Sequence, residues 1–96
     1  MNSTELIRKL KKAKPDLEYK YGVSSLGLFG SYIRKEERAG SDVDVLVEFK
    51  EPIGLVKFVE LKASLRELVG AEVDLVTSAA LKPAIRKQVL KEVVYV

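Results

Sequence analysis

The sequence predicts a single α/β (α+β) domain in which helices pack on one face of a small mixed β-sheet. Residues 42–49 place valine or phenylalanine at every second position, mostly with acidic residues between them, which is typical of a strand with one buried face. Residues 55–68 place leucine, valine and phenylalanine at helical spacing, and Gly70 follows as a common helix stop. Of the 96 residues, 47% are hydrophobic and 32% are charged, so the chain suits one core and one domain over residues 1–96.

The first half of the chain predicts helical segments on either side of one strand. Asn2, Ser3 and Thr4 are N-cap candidates for a first helix, which we expect to end at Pro15 because proline lacks a backbone N–H. Gly22 closes the next segment. A second helix, a strand and a short third helix are expected at residues 16–21, 23–29 and 32–37.

The second half predicts a long helix between two strands, followed by another helix and an edge strand. The loop 39–41 precedes the strand at 42–49. The further elements are expected at residues 55–69, 72–77, 78–92 and 93–96. The helix residues expected to face the core are Leu55, Phe58, Val59, Leu61, Leu65, Leu68, Ile85 and Val89, with Pro83 near the start of the last helix.

The composition narrows the chemistry that a site could use. The chain has no cysteine, which excludes disulfides, zinc–thiolate centres and cysteine nucleophiles. It has no histidine, which excludes histidine acid–base catalysis and removes the commonest transition-metal ligand. A bound metal must therefore be held by oxygen atoms, which favours Mg²⁺ or Mn²⁺ over Zn²⁺.

Charge and hydropathy indicate where in the cell the protein is expected and whether it contacts a membrane or nucleic acid. The sequence has neither an apolar run of membrane-spanning length nor the apolar stretch of a signal peptide, so we expect a cytoplasmic protein without membrane contact. The net charge is +3, and many basic residues fall in the first helix. No aromatic residues are interleaved with them to stack on bases, so a solvated helix face is favoured over a nucleic-acid surface.

The turn at Gly30-Ser31 is a candidate phosphate-binding element. A glycine after a strand lets the backbone approach a ligand closely, and the Ser31 hydroxyl can bind phosphate or cap the next helix. Arg34 brings a guanidinium to the same side one turn later. Many α/β turns have this sequence without binding anything, so the turn alone leaves both interpretations open.

Three aspartates form a candidate metal site. Side chains alternate along a strand, so Asp42 and Asp44 point to one face, which is unusual because aspartate is depleted in strands. The alternative is that Asp42 ends the preceding loop and that Asp44 is merely exposed. Asp74 lies in another predicted strand, and if the two strands are neighbours the three carboxylates converge on one uncovered face. Such a group would suit two Mg²⁺ ions.

These residues resemble a known family. Gly30-Ser31-x-x-Arg34 followed by Ser41-Asp42-x-Asp44, with Asp74 in a later strand, is similar to the signature of the minimal nucleotidyltransferase (MNT) domain of the DNA polymerase beta-like nucleotidyltransferase superfamily. The similarity extends from about residue 21 to residue 96. The chain departs from the pattern at Ile33, where the family often has alanine, and at Lys35, where it commonly has glycine.

The resemblance implies a nucleotidyltransferase fold and an enzyme that transfers a nucleotide. Asp42, Asp44 and Asp74 would be catalytic residues that hold two Mg²⁺ ions, or Mn²⁺. Gly30, Ser31 and Arg34 would bind the triphosphate of ATP. Members of this minimal kind are typically antitoxins of HEPN-domain ribonuclease toxins, which implies AMP transfer to a toxin tyrosine and a hetero-oligomer, with a homo-oligomer as another option.

Two alternatives to that function stay open from the sequence. One is a binding module that neutralises its partner by contact and transfers nothing. The other is nucleotide transfer to RNA or to a small molecule.

Overall fold

A computed structural model describes residues 2–96 and shows a four-stranded mixed sheet with helices. The strands are β1 (Val23–Phe29), β2 (Val43–Phe49), β3 (Val73–Val76) and β4 (Val94–Tyr95). The helices are α1 (Ser3–Tyr21), α2 (Ser31–Arg34), α3 (Leu55–Val69) and α4 (Pro83–Glu92), and a single 3₁₀ turn (Ser78–Ala80) lies between β3 and α4. The predicted fold class is confirmed.

The sheet order is β3-β2-β1-β4, with β2 and β3 parallel and the other pairs antiparallel. The parallel pair needs a crossover connection, and α3 supplies it. The predicted edge strand at the end of the chain is confirmed as β4, which pairs with β1 at Gly27 and Leu28. The neighbouring position of β2 and β3 is what the aspartate hypothesis required.

The main core lies between the sheet and the pair of helices α1 and α3. Alternation along β2 turns Val43, Val45 and Val47 to this side, where all three are buried. They pack with buried leucines of α1, β1 and α3, and Ile33 of α2 packs partly against the same cluster. Burial of this continuous apolar cluster is the main source of stability for the domain.

A smaller cluster lies on the other face of the sheet, beneath α4. Phe29 of β1 and Leu46 of β2 point to this side, and Val89 of α4 covers them. The prediction that the helices pack on one face and leave the aspartate face uncovered was therefore wrong in this detail, because α4 partly covers the face that carries Asp44 and forms one wall beside it.

The prediction that Pro15 ends the first helix was wrong, because α1 continues unbroken from Ser3 to Tyr21. Leu10 and Leu17, on either side of the proline, are both buried against the core and hold the helix together. Pro15 is exposed, so the carbonyl that loses its N–H partner can be hydrated. The caps are as expected: the Asn2 side chain accepts from the Glu5 N–H at 2.9 Å, and Gly22 closes the helix in the left-handed region.

Two other helices differ from the sequence prediction in length. The helix expected at 32–37 is only α2 (Ser31–Arg34), because Lys35 adopts a left-handed conformation. The helix expected at 78–92 is divided into a 3₁₀ turn and α4, which begins at Pro83. Proline suits the first helical position because it has no N–H to leave unpaired.

Three side chains expected to face the core do not. Leu55, Val59 and Ile85 are 77%, 55% and 50% exposed. At 100° per residue, Val59 lies about 200° around α3 from the fully buried Leu61, so the two cannot share a face. Val69 occupies the buried stripe instead, with Leu61 and Leu65.

None of the helices within residues 2–96 is both long and apolar enough to cross a membrane.

Lys35→Gly should raise the free energy of unfolding by about 1 kcal/mol. Among residues 2–96, Lys35 is the only non-glycine residue with positive φ (60°), and its side chain is exposed. Glycine removes the Cβ that disfavours this conformation. Urea unfolding measures the change, and Lys35→Ala is the control because it retains the Cβ. Equal stabilisation by both substitutions would contradict the backbone explanation.

Candidate functional site

The turn after β1 and the start of β2 make an unusually close contact. Phe29 and Asp44 are paired in the β1–β2 ladder, so Gly30 follows directly beside the Asp44 side chain. A Cβ built on Gly30 would lie 2.8 Å from Asp44 Cγ and 3.1 Å from Asp44 Cβ. Gly30 also has φ 78° and ψ −151°, a region that essentially only glycine adopts. Both the space and the backbone angles therefore require glycine here.

The three aspartates lie at neighbouring points of the sheet. Asp44 and Asp74 are paired in the parallel β2–β3 ladder, so their side chains share one face of the sheet. Asp42 is exposed and immediately precedes β2. It thus ends the loop, as one sequence interpretation allowed, and it still lies near enough for its charge to act on Asp44.

The surroundings of Asp44 disfavour its ionised form. Burial, and then the negative charges of Asp74 and Asp42, raise the pKa of Asp44 from 3.8 to about 6. A hydrogen bond with Asp74 acts in the same direction, and the positive charge of Arg34 acts in the opposite one. A cation at this position would relieve the repulsion among the three carboxylates.

The donor chemistry of this acidic group fits a hard divalent ion, because all its ligands are carboxylate oxygens. As placed, however, no three acidic side chains of residues 2–96 lie close enough together to hold one ion. Asp44 and Asp74 form the close pair, and Asp42 lies at its edge. Joint metal binding by all three aspartates stays a prediction.

The predicted phosphate-binding groups lie next to the acidic pair. The Gly30 N–H and the Arg34 guanidinium point to a common position, where both contact the carboxylate of Glu92. Ser31 is half-buried and begins α2. Hydrogen bonds to Glu36 and Glu92 raise the pKa of Arg34 above its ordinary value, so the guanidinium stays charged.

Sequence reasoning did not identify Glu92 as part of the site. Its oxygen Oε1 accepts from the Gly30 N–H at 3.0 Å and from Arg34 at 3.0 Å. Sixty-two residues separate Glu92 from Gly30, and only the packing of α4 on the second face brings them together. No local pattern in the sequence signals a contact of that range.

A cavity of about 210 Å³ opens at this point. It is lined by Phe29, Gly30, Arg34, Asp44, Ile85, Gln88, Val89 and Glu92. This volume is below the usual size of small-molecule sites, so the cavity can enclose only part of a ligand as large as a nucleotide. Two larger cavities, of about 380 and 410 Å³, lie near Gly70 at the end of α3 and contain none of the three aspartates.

Comparison with known proteins gives consistent matches. Residues 7–96 match the family described as "Nucleotidyltransferase domain". The protein adenylyltransferase MntA of Thermococcus cleftensis is 51% identical over 83 residues, which are 86% of this chain and 84% of MntA.

Solved structures agree with the sequence match. A structure assigned as a minimal nucleotidyltransferase superposes with a TM-score of 0.80 at 37% identity and covers 98% of this chain and 95% of its own. A structure of a tri-AMPylated Shewanella oneidensis HEPN toxin in complex with MNT antitoxin gives a TM-score of 0.68 at 22% identity. That superposition covers 96% of this chain and 69% of the matched chain, and it supports the fold alone.

Gly30→Ala should destabilise the protein by about 2–3 kcal/mol and displace the Asp44 carboxylate. The added methyl group meets the Asp44 side chain, and the backbone is strained by the positive φ of 78°. Gly40→Ala is the matched control, because Gly40 has φ 85° but open space around a Cβ. Chemical denaturation of both variants separates the contact from the backbone strain. A loss no larger for Gly30→Ala than for Gly40→Ala would contradict the close packing.

Asp44→Asn should stabilise the protein at pH 8 by about 1–2 kcal/mol, after allowance for partial solvent exposure. The pKa of Asp44 is about 6 in the folded chain, above its ordinary 3.8, so the folded state binds this proton more tightly. Asp44 therefore does not lower the free energy of unfolding below pH 3.8. The free energy of unfolding falls as the pH rises from 3.8 through 6, where Asp44 ionises in the folded chain.

Urea unfolding at pH 4 and pH 8 measures this difference between Asp44→Asn and the unmodified protein. The gain should be small at pH 4 and fully developed at pH 8. Asp16→Asn, at an exposed position of α1, is the control substitution. A pH-independent effect of Asp44→Asn would show that charge repulsion is not its cause.

Proposed function

Because this chain belongs to the nucleotidyltransferase domain family, we propose that it is an antitoxin that transfers AMP from ATP to a tyrosine hydroxyl of a HEPN-domain ribonuclease toxin. The observation that carries the proposal is the contact of Asp44 with Gly30, with Asp74 beside it and Arg34 across the cavity. The Asp44–Asp74 pair lies next to a backbone N–H and a guanidinium, the two groups that would bind phosphate in the proposed site. The protein adenylyltransferase MntA, at 51% identity, supports AMP as the transferred group.

We propose the partner by analogy with a solved complex that contains a chain of the same fold. The MNT antitoxin of Shewanella oneidensis forms a complex with a HEPN toxin that carries three AMP groups. The 210 Å³ cavity of this chain is too small to enclose both a nucleotide and an acceptor. The acceptor hydroxyl would therefore be presented by a second chain at the open side of the cavity, in a hetero-oligomer in the cytoplasm, where ATP is available.

The chain's own residues would bind and orient the nucleotide. The Gly30 N–H and the Arg34 guanidinium would hold oxygen atoms of the triphosphate, with Ser31 beside them. The Asp42, Asp44 and Asp74 carboxylates would hold two Mg²⁺ ions, or Mn²⁺, which would neutralise the triphosphate and lower the pKa of the attacking hydroxyl. Since the pKa of Asp44 is about 6, this carboxylate is available in its ionised form mainly above that pH.

Transfer then requires an in-line substitution at the α-phosphorus of ATP. The tyrosine oxygen forms a new bond to the α-phosphorus. The bond between the α-phosphorus and the oxygen that bridges it to the β-phosphate breaks, and pyrophosphate leaves. The tyrosine proton passes to Asp74, which is exposed on the sheet face beside Asp44. Positioning and charge neutralisation provide most of the catalysis in such reactions, so the absence of histidine and cysteine from the chain is no obstacle.

Incubation with ATP, Mg²⁺ and the protein encoded by the neighbouring gene should add mass to that protein in whole AMP units, measured by intact-mass spectrometry. Asp44→Asn and Asp74→Asn should each reduce the rate at least about a hundredfold, as expected for loss of a metal-binding carboxylate. Glu72→Gln, an exposed carboxylate paired with Arg66 outside the cavity, is the control and should keep full activity.

Three outcomes would contradict the proposal. Tight binding without added mass would indicate an antitoxin that acts by contact alone. Label on RNA instead of protein would indicate a different acceptor. Undiminished transfer by both aspartate variants would show that these carboxylates are not the catalytic group.

A further inference from the structure

The carboxylate of Glu92 lies where a phosphate ligand of the site would bind. Its Oε1 accepts from the Gly30 N–H at 3.0 Å, and its two oxygens accept from the Arg34 guanidinium at 3.0 and 3.2 Å. A bound anionic ligand would accept hydrogen bonds from the same two groups, one backbone N–H and one guanidinium. The chain thus supplies an anion of its own to these donors.

The Glu92 contact and a phosphate contact exclude each other. The backbone N–H of Gly30 carries a single proton, and a second strong acceptor cannot approach it while Glu92 is bound. The negative charge of Glu92 would also repel a phosphate group that comes close to Arg34. Nucleotide binding at Gly30 and Arg34 therefore requires the Glu92 side chain to leave.

The backbone around Glu92 is fixed on both sides, so release of the Gly30 and Arg34 donors requires rotation of the Glu92 side chain. Val89, one turn earlier in α4, is buried against Phe29 and Leu46. Val94, two residues later, pairs with Leu28 in the sheet. The Glu92 side chain is 19% exposed at the rim of the cavity, so rotation about its side-chain bonds can release the donors without movement of α4.

We propose that Glu92 is an internal competitor for the phosphate site: its carboxylate occupies Gly30 and Arg34 in the free protein and must be displaced by a nucleoside triphosphate. Glu92 then lowers the affinity for every ligand that places phosphate on these donors. It also keeps the Gly30 N–H hydrogen-bonded and Arg34 paired when no nucleotide is present. This inference rests on the proposed nucleotide site and adds a residue that controls access to it.

Glu36, a second carboxylate that pairs with Arg34, provides a matched control for Glu92. Glu36 also pairs with Arg34, through Nε at 3.1 Å, but the Gly30 N–H donates to Glu92 and not to Glu36. Its side chain is 62% exposed and lies outside the residues that line the cavity. Glu36→Gln removes one negative charge beside Arg34, as Glu92→Gln does, but leaves the Gly30 N–H occupied.

ATP affinity of Glu92→Gln, Glu92→Ala and Glu36→Gln tests the proposal. Calorimetric titration should be done once with EDTA, so that divalent ions do not contribute, and once with Mg²⁺. Both Glu92 variants should bind ATP about fivefold more tightly than the unmodified protein, because the competing carboxylate is gone. Glu36→Gln should remain within about twofold, since an exposed ion pair contributes little.

The Gly30 amide resonance gives a second readout that involves no ligand. In a ¹⁵N-correlated NMR spectrum of the free protein, this resonance should move upfield in Glu92→Ala and stay in place in Glu36→Gln. An unmoved Gly30 resonance in Glu92→Ala would show that the contact is absent in solution and would overturn the proposal.

Unchanged or weaker ATP binding by both Glu92 variants would also overturn it, since Glu92 would then support Arg34 rather than compete with the ligand. Failure of every variant to bind ATP would refute the competition as well. AMP transfer is not measured in either experiment, so a failure of the proposed toxin modification would be detected separately.

Discussion

The approach of the Asp44 side chain to the Cα of Gly30 is the contact on which the rest of the site depends. It exists because β1 and β2 are antiparallel neighbours whose register pairs Phe29 with Asp44. The space for the carboxylate exists only because residue 30 has no Cβ. Through this contact, a carboxylate on β2 and an N–H donor at the end of β1 face one small cavity. Neither strand alone could create that combination.

The contact between Asp44 and Gly30 forms although burial and the neighbouring carboxylates disfavour the ionised form of Asp44. Asp44 is half-buried beside Asp74 and near Asp42, and this raises its pKa to about 6. The free energy that offsets the repulsion comes from the opposite face of the same strand, where Val43, Val45 and Val47 are buried in the main core. Such a division of one strand into a stabilising face and a strained polar face is common at functional sites, where binding of a cation or ligand relieves the strain.

The sequence could predict the features that depend on local patterns. Alternation in β2 and the glycine stops at Gly22 and Gly70 follow from spacing, whereas the pairing of Asp44 with Asp74 also required β2 and β3 to be neighbours. The features that it could not predict depend on distant packing. Pro15 is tolerated because two buried leucines hold α1 on both sides, and the exposed side of α3 is set by which stripe meets the sheet. Glu92 reaches Gly30 across 62 residues because α4 lies on the second face.

In the proposed function, the Asp44–Asp74 pair and the Gly30 turn form one site for a metal-bound nucleotide. Mn²⁺ is a paramagnetic ion that oxygen ligands bind as they bind Mg²⁺, so its position can be read from the broadening of nearby NMR resonances. Titration with Mn²⁺ and a non-hydrolysable ATP analogue should broaden the amide resonances of Gly30, Asp44 and Asp74 first. Broadening that begins instead near Gly70, where the larger cavities lie, would contradict the claim.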